Sequence, residues 1–333
     1  MEPYLLITGF LCCALVIFFA GQKLSYYGDL LANVTGMSKG WIGIILMASI
    51  TSLPELMVGI SSAALIGSAD LAVGDIIGSC AFNLGILALM DAFTPKKQPI
   101  FGMASQTHIL NAGLGIILIT LVGLVMFIPH HIAITPWIAL SSIIFIFIYL
   151  ISIRIIYFNE KNHPESLTQT NVTGAPPDTK HIIGKFILFA ALIVISALAL
   201  PFFAVQIAEI TGLEKSFVGT FFLAVSTSLP EIAVSIAAVR IGSIDMAVGN
   251  LLGSNIFNIL ILAIDDLFYS KGLLLQDASP SHLISILSAI IMSAIVIIGL
   301  SYHAKGKKFL LAWDSILIFI VYAINLLLLY QNK

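Results

Sequence analysis

The sequence carries one polar motif twice, and each copy lies inside a long apolar stretch. The first copy is Thr51-Ser-Leu-Pro-Glu55 followed by Gly74-Asp-Ile-Ile-Gly-Ser-Cys-Ala-Phe-Asn83. The second copy is Thr227-Ser-Leu-Pro-Glu231 followed by Gly249-Asn-Leu-Leu-Gly-Ser-Asn-Ile-Phe-Asn258. A carboxylate within an apolar segment is costly, and in membrane proteins it usually has a functional role. Its repetition within one motif predicts a site formed between two duplicated halves.

The composition predicts an all-α integral membrane protein. Hydrophobic residues make up 59% and charged residues 10% of the 333 residues, and the mean hydropathy is +1.07. A soluble domain has about 45–50% apolar and about 25% charged residues. The three cysteines, Cys12, Cys13 and Cys80, lie in apolar runs without a disulfide framework or a metal-thiolate spacing. We expect the lipid bilayer as the surroundings of the chain, with no nucleic acid, protein partner or cofactor.

Ten segments can span a bilayer, for which a helix needs about 20 mostly apolar residues. These segments are 4–22, 40–66, 71–93, 109–128, 134–157, 182–210, 216–239, 246–269, 282–302 and 309–330. A polar stretch between the fifth and sixth segments contains prolines and reads as a loop. The sequence therefore predicts a first five-helix repeat over 1–157, a cytoplasmic linker over 158–181 and a second five-helix repeat over 182–333.

The placement of lysine and arginine predicts the orientation, because these residues favour the inner side of a membrane. With the amino terminus outside, the outer segments hold only Lys215, Lys271 and Lys333. The inner segments then hold Lys23, Lys39, Lys96, Lys97, Arg154, Lys161, Lys180, Lys185, Arg240, Lys305, Lys307 and Lys308. Both termini are expected outside, in a multi-pass protein of the plasma (cell inner) membrane. Five spans are an odd number, so the second repeat should be inverted relative to the first.

Oxygen-bearing side chains recur at helical spacing in the second and seventh spans. Thr51, Ser52 and Glu55 can share one face of a helix. Pro54 has no N–H for the carbonyl of Ile50, so it should bend the helix there and free that carbonyl for a cation. The seventh span repeats this arrangement with Thr227, Ser228, Pro230 and Glu231.

The third and eighth spans add a second set of oxygens. Ser79 and Asn83 are one helical turn apart, and Asp75 lies one turn before them. The matching residues of the eighth span are Ser254, Asn258 and Asn250. The pairs Gly74/Gly78 and Gly249/Gly253 have the small-xxx-small spacing that allows helices to approach closely. Close packing of four helices would then bring these oxygens together.

The candidate metal ligands are all oxygens. They are Glu55, Glu231, Thr51, Thr227, Ser52, Ser228, Ser79, Ser254, Asn83 and Asn258. Ca²⁺ takes about 6–8 oxygen ligands, whereas zinc and copper favour nitrogen or sulfur. The two glutamates supply a charge that matches one Ca²⁺, and smaller groups of the same oxygens could hold Na⁺. Asp75 and Asn250 are expected next to this set, where a buried Asp75 could also carry a proton.

At these residues the chain resembles the cation/Ca²⁺ exchanger superfamily, and most closely the prokaryotic Na⁺/Ca²⁺ exchangers. Two copies of Thr-Ser-x-Pro-Glu and of Gly-Asn-x-x-Gly-Ser-Asn-x-x-Asn mark that family. The resemblance implies four central positions that Na⁺ and Ca²⁺ occupy in exchange, with Glu55 and Glu231 as the principal Ca²⁺ ligands. It also implies that Thr51 and Thr227 assist largely through backbone carbonyls, while the serines and asparagines complete the Na⁺ sites.

The expected function is therefore secondary active antiport of Ca²⁺ against Na⁺ by alternating access, and the chain is not expected to be an enzyme. The resemblance implies that spans 4–22 and 182–210 slide as a gating pair. Two departures from the family pattern leave the coupling ion open. Asp75 and Cys80 replace asparagines of the first string, and Asn258 stands where some members carry aspartate. An H⁺-coupled divalent cation exchanger and a cation channel remain alternatives.

Three further aspartates lie near the ends of spans. Asp91 and Asp266 occupy matching positions in the two halves, whereas Asp265 has no acidic counterpart. We expect all three to mark a helix end or a water-facing vestibule and not to bind a cation.

Overall fold

A computed structural model describes residues 3–94, 98–128, 132–162, 179–211, 226–302 and 306–331. Most of this chain is helical. The helices are α1 (Pro3–Thr35), α2 (Lys39–Ile66), α3 (Ala69–Met90), α4 (Ile100–Met103), α5 (Thr107–Phe127), α6 (Leu140–Asn162), α7 (Thr179–Thr211), α8 (Leu229–Arg240), α9 (Ile244–Phe268), α10 (Leu274–Asp277), α11 (His282–Tyr302) and α12 (Trp313–Gln331). A 3₁₀ turn, Asp91–Phe93, follows α3, and a two-stranded antiparallel ribbon of β1 (Ala133–Thr135) and β2 (Ile138–Ala139) precedes α6.

Within the described ranges, 9 helices are long and apolar enough to cross a membrane. They are α1, α2, α3, α5, α6, α7, α9, α11 and α12. The prediction of an all-α membrane protein is thereby confirmed. The seventh predicted span, 216–239, is described only from residue 226, so the count of ten and the inverted repeat stay predictions. So do the domain bounds, because most of the linker 158–181 lies outside the described residues.

Two span boundaries differ from the predicted ones. The first span was predicted to end at residue 22, but α1 continues to Thr35. Its polar residues have partners there: the Ser25 hydroxyl donates to the carbonyl of Val234 at 2.8 Å, and Asp29 forms an ion pair with Lys39 at 2.7 Å. The fifth span begins at residue 140 and not at 134, because the preceding residues form the β1–β2 ribbon. Local pairing of polar groups, which hydropathy does not show, explains the first difference.

Helices α3 and α9 form the centre of the bundle. In their most apolar windows, 72% of the residues of α3 and 78% of those of α9 are buried, against 22% for each of α1, α6, α7 and α12. Helix α1 packs along α7 and against α8, and these three helices share a separate hydrophobic cluster of Ile17, Ala197, Leu200 and Ala233. The helices that carry the repeated motif thus occupy the interior, and α1 and α7 lie against one side of it.

Helix α2 changes its helical geometry along its length. The π-helical segments Ile42–Met47 and Ser61–Ile66 flank the α-helical segments Ala48–Thr51 and Leu53–Ile60. Segments of π-helix are uncommon and often occur near functional sites. The proline of the motif predicted a break in this span, but no sequence signal predicted the π-helical turns on either side.

Helices α2 and α9 approach each other at glycines. A Cβ atom at Gly43 would lie 2.4 Å from the carbonyl oxygen of Met246, and one at Gly253 would lie 2.4 Å from that of Ile44. A Cβ at Gly249 would similarly lie 2.7 Å from a backbone oxygen of α2. The predicted close approach at Gly249 and Gly253 is therefore confirmed.

The corresponding glycines of α3 are less crowded. A Cβ at Gly74 would lie 3.1 Å from the ring of His282, and a Cβ at Gly78 would meet no described residue within 4 Å. The two motif copies lie 176 residues apart at Glu55 and Glu231, so the residue that matches Ile44 is number 220. That residue lies outside the described residues. Close helix approach at this first pair stays a prediction.

Asp91 connects the two halves of the chain at the end of α3. Its Oδ1 accepts the backbone N–H of Ile100 at 2.9 Å, and its Oδ2 accepts that of Ala312 at 2.5 Å. The ammonium group of Lys307 lies 3.4 Å from Oδ1. Asp91 marks a helix end, the first of the two positions expected for it, and it is fully buried. The backbone donors and the lysine compensate for its desolvation.

Asp266 makes the matching contacts at the end of α9. Its Oδ1 accepts the N–H of Leu274 at 2.9 Å, and its Oδ2 accepts the N–H of Ala139 at 3.0 Å and the hydroxyl of Ser142 at 2.6 Å. It too is buried and does not face water. Each half therefore supplies a carboxylate that binds the backbone of the other half.

The same exchange occurs at the beginnings of these two helices. Each aspartate there accepts a backbone N–H at 2.6 Å and has a histidine Nε2 at 3.2 Å, namely Asp70 with Ser279 and His282, and Asp245 with Ser105 and His108. Reciprocal contacts of this kind are those that a two-fold relation between duplicated halves produces. They fix both ends of α3 and α9, which carry four of the ten candidate ligands.

Candidate cation site

The two glutamates of the motif follow matching breaks in their helices. Ser52 interrupts α2 with φ −89° and ψ 8°, and Ser228 precedes α8 with φ −85° and ψ 4°. Glu55 and Glu231 then lie in the first turn of the helical segment that follows, where the positive end of the helix dipole favours a carboxylate. Both side chains are buried, at 2% and 1% exposure. The break therefore holds each carboxylate at a helix start inside the bundle.

Hydrogen bonds link the two copies of the motif to each other. The Ser52 hydroxyl donates to Oε1 of Glu231 at 3.2 Å, and the Thr51 hydroxyl donates to Oδ1 of Asn250 at 3.3 Å. The amide nitrogen of Asn250 donates to the Ser235 hydroxyl at 3.1 Å. Both polar atoms of Asn250 are thus engaged, which supports its predicted place next to the ligand set. The Thr51 hydroxyl acts only as a donor in this contact, so its oxygen lone pairs stay available to a cation.

The proline of the motif leaves the Ile50 carbonyl without its usual helical donor. The N–H of Ser52 donates to the carbonyl of Ala48 at 3.0 Å, and Pro54 has no N–H to donate to Ile50. A carbonyl oxygen has two lone pairs that can bind a ligand.

The asparagines of α3 and α9 are oriented by a residue that we did not single out. Asn255 accepts the amide N–H of Asn83 at 3.0 Å and donates its own to the carbonyl of Cys80 at 3.1 Å. The amide nitrogen of Asn258 lies 3.7 Å from the Cys80 sulfur. These contacts use the amide nitrogens and leave Oδ1 of Asn83 and Asn258 unpartnered. Asn255 occupies the position that matches Cys80, which is the signal that could have identified it.

All ten predicted ligand residues are buried, and seven of them hold a buried oxygen without a hydrogen-bond partner. These atoms are Oε2 of Glu55 and Glu231, Oγ of Ser79, Ser228 and Ser254, and Oδ1 of Asn83 and Asn258. Leaving one such group unpaired costs about 1–3 kcal/mol, and more when it is charged. Unpaired oxygens in these numbers, from four helical segments, are the chemistry of a site for a hard cation.

Charge in this region comes from carboxylates and not from basic side chains. In the described ranges, the four ion pairs involve Asp29, Asp245, Asp70 and Asp91, and none involves Glu55 or Glu231. No group of three or more His, Cys, Asp or Glu residues in this part of the chain could hold a metal ion. A cation here would therefore depend on the serine and asparagine oxygens as well as on the two glutamates.

The fold and this oxygen-lined centre define a class of protein: a helical membrane transporter for hard cations. The model of the family described as sodium/calcium exchanger protein matches residues 5–158 and 181–331. The chain belongs to that family, whose members are secondary transporters and not enzymes.

Individual relatives agree with this assignment. The putative antiporter CaxA of Alkalimonas amylolytica is 31% identical over 77% of this chain and 78% of its own length. The inner membrane protein YrbG of Escherichia coli K12 is 29% identical over 86% of this chain and 87% of its own. A solved structure of the sodium-calcium exchanger NCX_Mj superposes with a TM-score of 0.77 at 21% identity, covering 98% of this chain and 99% of that one. At that identity, the structural likeness establishes the fold alone.

Proposed function

We propose that this protein exchanges Ca²⁺ for Na⁺ by alternating access at the site between its two halves. The observation that carries the proposal is the set of seven unpartnered buried oxygens around Glu55 and Glu231. Two carboxylates without a basic partner match the charge of one Ca²⁺. The neutral oxygens from both halves would complete its coordination, or would hold Na⁺ ions when Ca²⁺ has left.

The proposed architecture is a pair of inverted five-helix repeats, ten helices in total. Its support is the reciprocal binding of Asp91 and Asp266, each to the backbone of the other half. Inverted repeats place ion sites near the bilayer midplane, where the two halves meet. Helices α1 and α7, which share a hydrophobic cluster apart from the main core, would be the pair that slides. The proposed orientation has both termini outside the plasma (cell inner) membrane.

Transport into vesicles tests this function. In vesicles loaded with Na⁺ and diluted into Na⁺-free buffer, ⁴⁵Ca²⁺ should accumulate, and Glu55→Gln or Glu231→Gln should reduce the uptake to background. Each replacement keeps the size of the side chain and removes the charge that binds Ca²⁺. Asp314→Asn is the matched control, because Asp314 is also a buried carboxylate but lies in the first turn of α12, outside the candidate site. It should retain uptake.

The same preparation discriminates the alternatives. Uptake driven by a pH gradient in Na⁺-free buffer, and not by Na⁺, would establish H⁺-coupled exchange instead. Ion flux far above carrier turnover in a conductance measurement would establish a channel. Unchanged Na⁺-driven uptake in both glutamate variants would contradict the assignment of the site.

A further inference from the structure

Asp265 lies in the last turn of α9, one of the two positions expected for it, and it is 0% exposed. Both of its carboxylate oxygens are buried without a hydrogen-bond partner. The carboxylate lies against Gly59, where a Cβ atom would be 2.2 Å from Oδ2. The absence of a side chain at Gly59 therefore makes the space that Asp265 occupies.

Asp265 and Gly59 continue the faces that carry the central ligands. Gly59 follows Glu55 by four residues on α2, which is one helical turn and about 6 Å along the axis. Asp265 follows Asn258 by seven residues on α9, which is two turns and about 10 Å along the axis. Both residues therefore lie on ligand-bearing faces, displaced from the central site along their helices.

The displacement is toward one end of the molecule. Helix α2 runs toward the turn that joins it to α3, and Asp75 on α3 lies between that turn and Ser79. The residues after α9 reach the same end, because Lys271 donates to the carbonyl of Gly67 in that turn at 2.9 Å. Gly59 lies eight residues before Gly67 and Asp75 lies eight residues after it, so Asp75 is at about the same level along the bundle as Gly59 and the Asp265 carboxylate against it.

The opposite end of the protein has a neutral arrangement at the equivalent place. The two motif copies lie 176 residues apart at Glu55/Glu231 and 175 apart at Ser79/Ser254, which pairs Gly59 with Ser235, Asp75 with Asn250 and Asp265 with Met90. Asn250 and Ser235 are hydrogen-bonded to each other at 3.1 Å. Where the opposite end has an amide, a hydroxyl and a thioether, the end with the α2–α3 turn has a carboxylate, a glycine and a second carboxylate. The two-fold relation is therefore broken by two added negative charges and an added space.

Nothing in the described structure neutralises those charges. Neither Asp75 nor Asp265 belongs to any of the four ion pairs, and Oδ2 of Asp75 is also buried without a partner. Removing an ionised carboxylate from water is costly unless an opposite charge or hydrogen-bond donors replace the water. A cation is the group that would supply what both side chains lack.

We propose that Asp75 and Asp265 form a second cation position, between the central site and the end of the molecule that holds the α2–α3 turn. Its ligand is a hard alkali or alkaline-earth cation, since the atoms available are carboxylate oxygens. Ions that enter or leave through this end occupy it on the way, and ions that use the other end do not. This inference rests on the proposed exchange function and adds an asymmetry between the two sides of the membrane.

Side-resolved transport kinetics test it. Right-side-out and inverted vesicles present opposite ends of the protein to added ⁴⁵Ca²⁺ or ²²Na⁺. Asp265→Asn should raise the KM at the end with the α2–α3 turn about tenfold, as expected for the loss of one charge near a cation path. The KM at the other end should stay within about twofold, as for a charge that is screened or distant. The Ca²⁺ and Na⁺ arms show which cation uses the position.

Two further variants separate this role from a general effect on folding. Gly59→Ala places a methyl group where the carboxylate lies and should reproduce the one-sided increase in KM. Asp314→Asn, which also replaces a buried carboxylate, should leave KM at both ends unchanged. Equal KM increases at both ends, or no increase at either, in a protein whose wild-type form exchanges ions would overturn the second position and leave the exchange function standing. Absence of exchange by the wild type would instead refute the exchange function itself.

Discussion

Asp265 and Asp266 are neighbours in the sequence with opposite surroundings, and this contrast gives a quantitative prediction for stability. Asp266 accepts three hydrogen bonds, from Leu274, Ala139 and Ser142. An asparagine in its place keeps one acceptor and turns an NH₂ group toward one of these donors. With charge-assisted hydrogen bonds worth about 1.5–3 kcal/mol, Asp266→Asn should cost roughly 2–4 kcal/mol. Asp265 accepts none, so Asp265→Asn loses no bond and removes an unpaired buried charge.

Thermal unfolding of the purified protein in detergent, with a chelator and without Na⁺, measures the difference. Asp266→Asn should lower the apparent Tm by roughly 3–6 °C, because an unfolding entropy of about 2.1 cal/mol/K per residue over 333 residues gives about 1.4 °C per kcal/mol. Asp265→Asn should leave the Tm unchanged or raise it. The exposed Asp277, replaced by asparagine, serves as the control, with an expected change of about 1 °C or less. A drop for Asp265→Asn as large as that for Asp266→Asn would refute the reasoning, and so would a wild-type Tm for Asp266→Asn.

Two other outcomes follow from the site and from the packing of its helices. Ca²⁺ at about 100 times its Kd should stabilise the folded state by ~2.7 kcal/mol and raise the Tm measured without Na⁺. This rise in Tm should vanish in Glu55→Gln. A rise of the same size in that variant would contradict the assignment of Glu55 as a ligand. Gly253→Ala should destabilise the protein by about 1–3 kcal/mol, because its methyl group would lie 2.4 Å from a backbone oxygen that cannot rotate away. Gly85→Ala is the matched control, since a Cβ atom at Gly85 would lie 3.9 Å from its nearest neighbour, the Tyr322 ring. Equal unfolding midpoints for the two variants would show that the α2–α9 contact is not tight.

The sequence alone singles out the residues whose chemistry is unusual in a membrane, and their role as ligands stays a prediction. Glu55, Glu231 and the repeated hydroxyls are polar side chains in apolar spans, and the structure brings these two glutamates to matching helix starts. Helical spacing also placed Asp75 one turn from Ser79. Periodicity and composition are local properties, and these predictions depended only on local properties.

Features that depend on distant partners were missed. The burial of Asp91 follows from a hydrogen bond to Ala312, 221 residues away, which no local pattern contains. The space for Asp265 is made by a glycine on another helix. The extension of α1 beyond residue 22 depends on partners for Ser25 and Asp29. In each case a contact with a distant part of the chain supplies a partner or a space for a polar residue, and the local sequence does not show it.

The exchange of aspartates between the halves also has a consequence for how the protein is made. Asp91 is synthesised long before Ala312, and at about 5–20 residues per second the 221 residues between them take roughly 10–45 s. During that interval α3 is complete, but the buried carboxylate at its end still lacks the N–H of Ala312 and the ammonium group of Lys307. The contacts that compensate for the burial of Asp91 can therefore form only after residue 312 has been synthesised, late in the insertion of the chain.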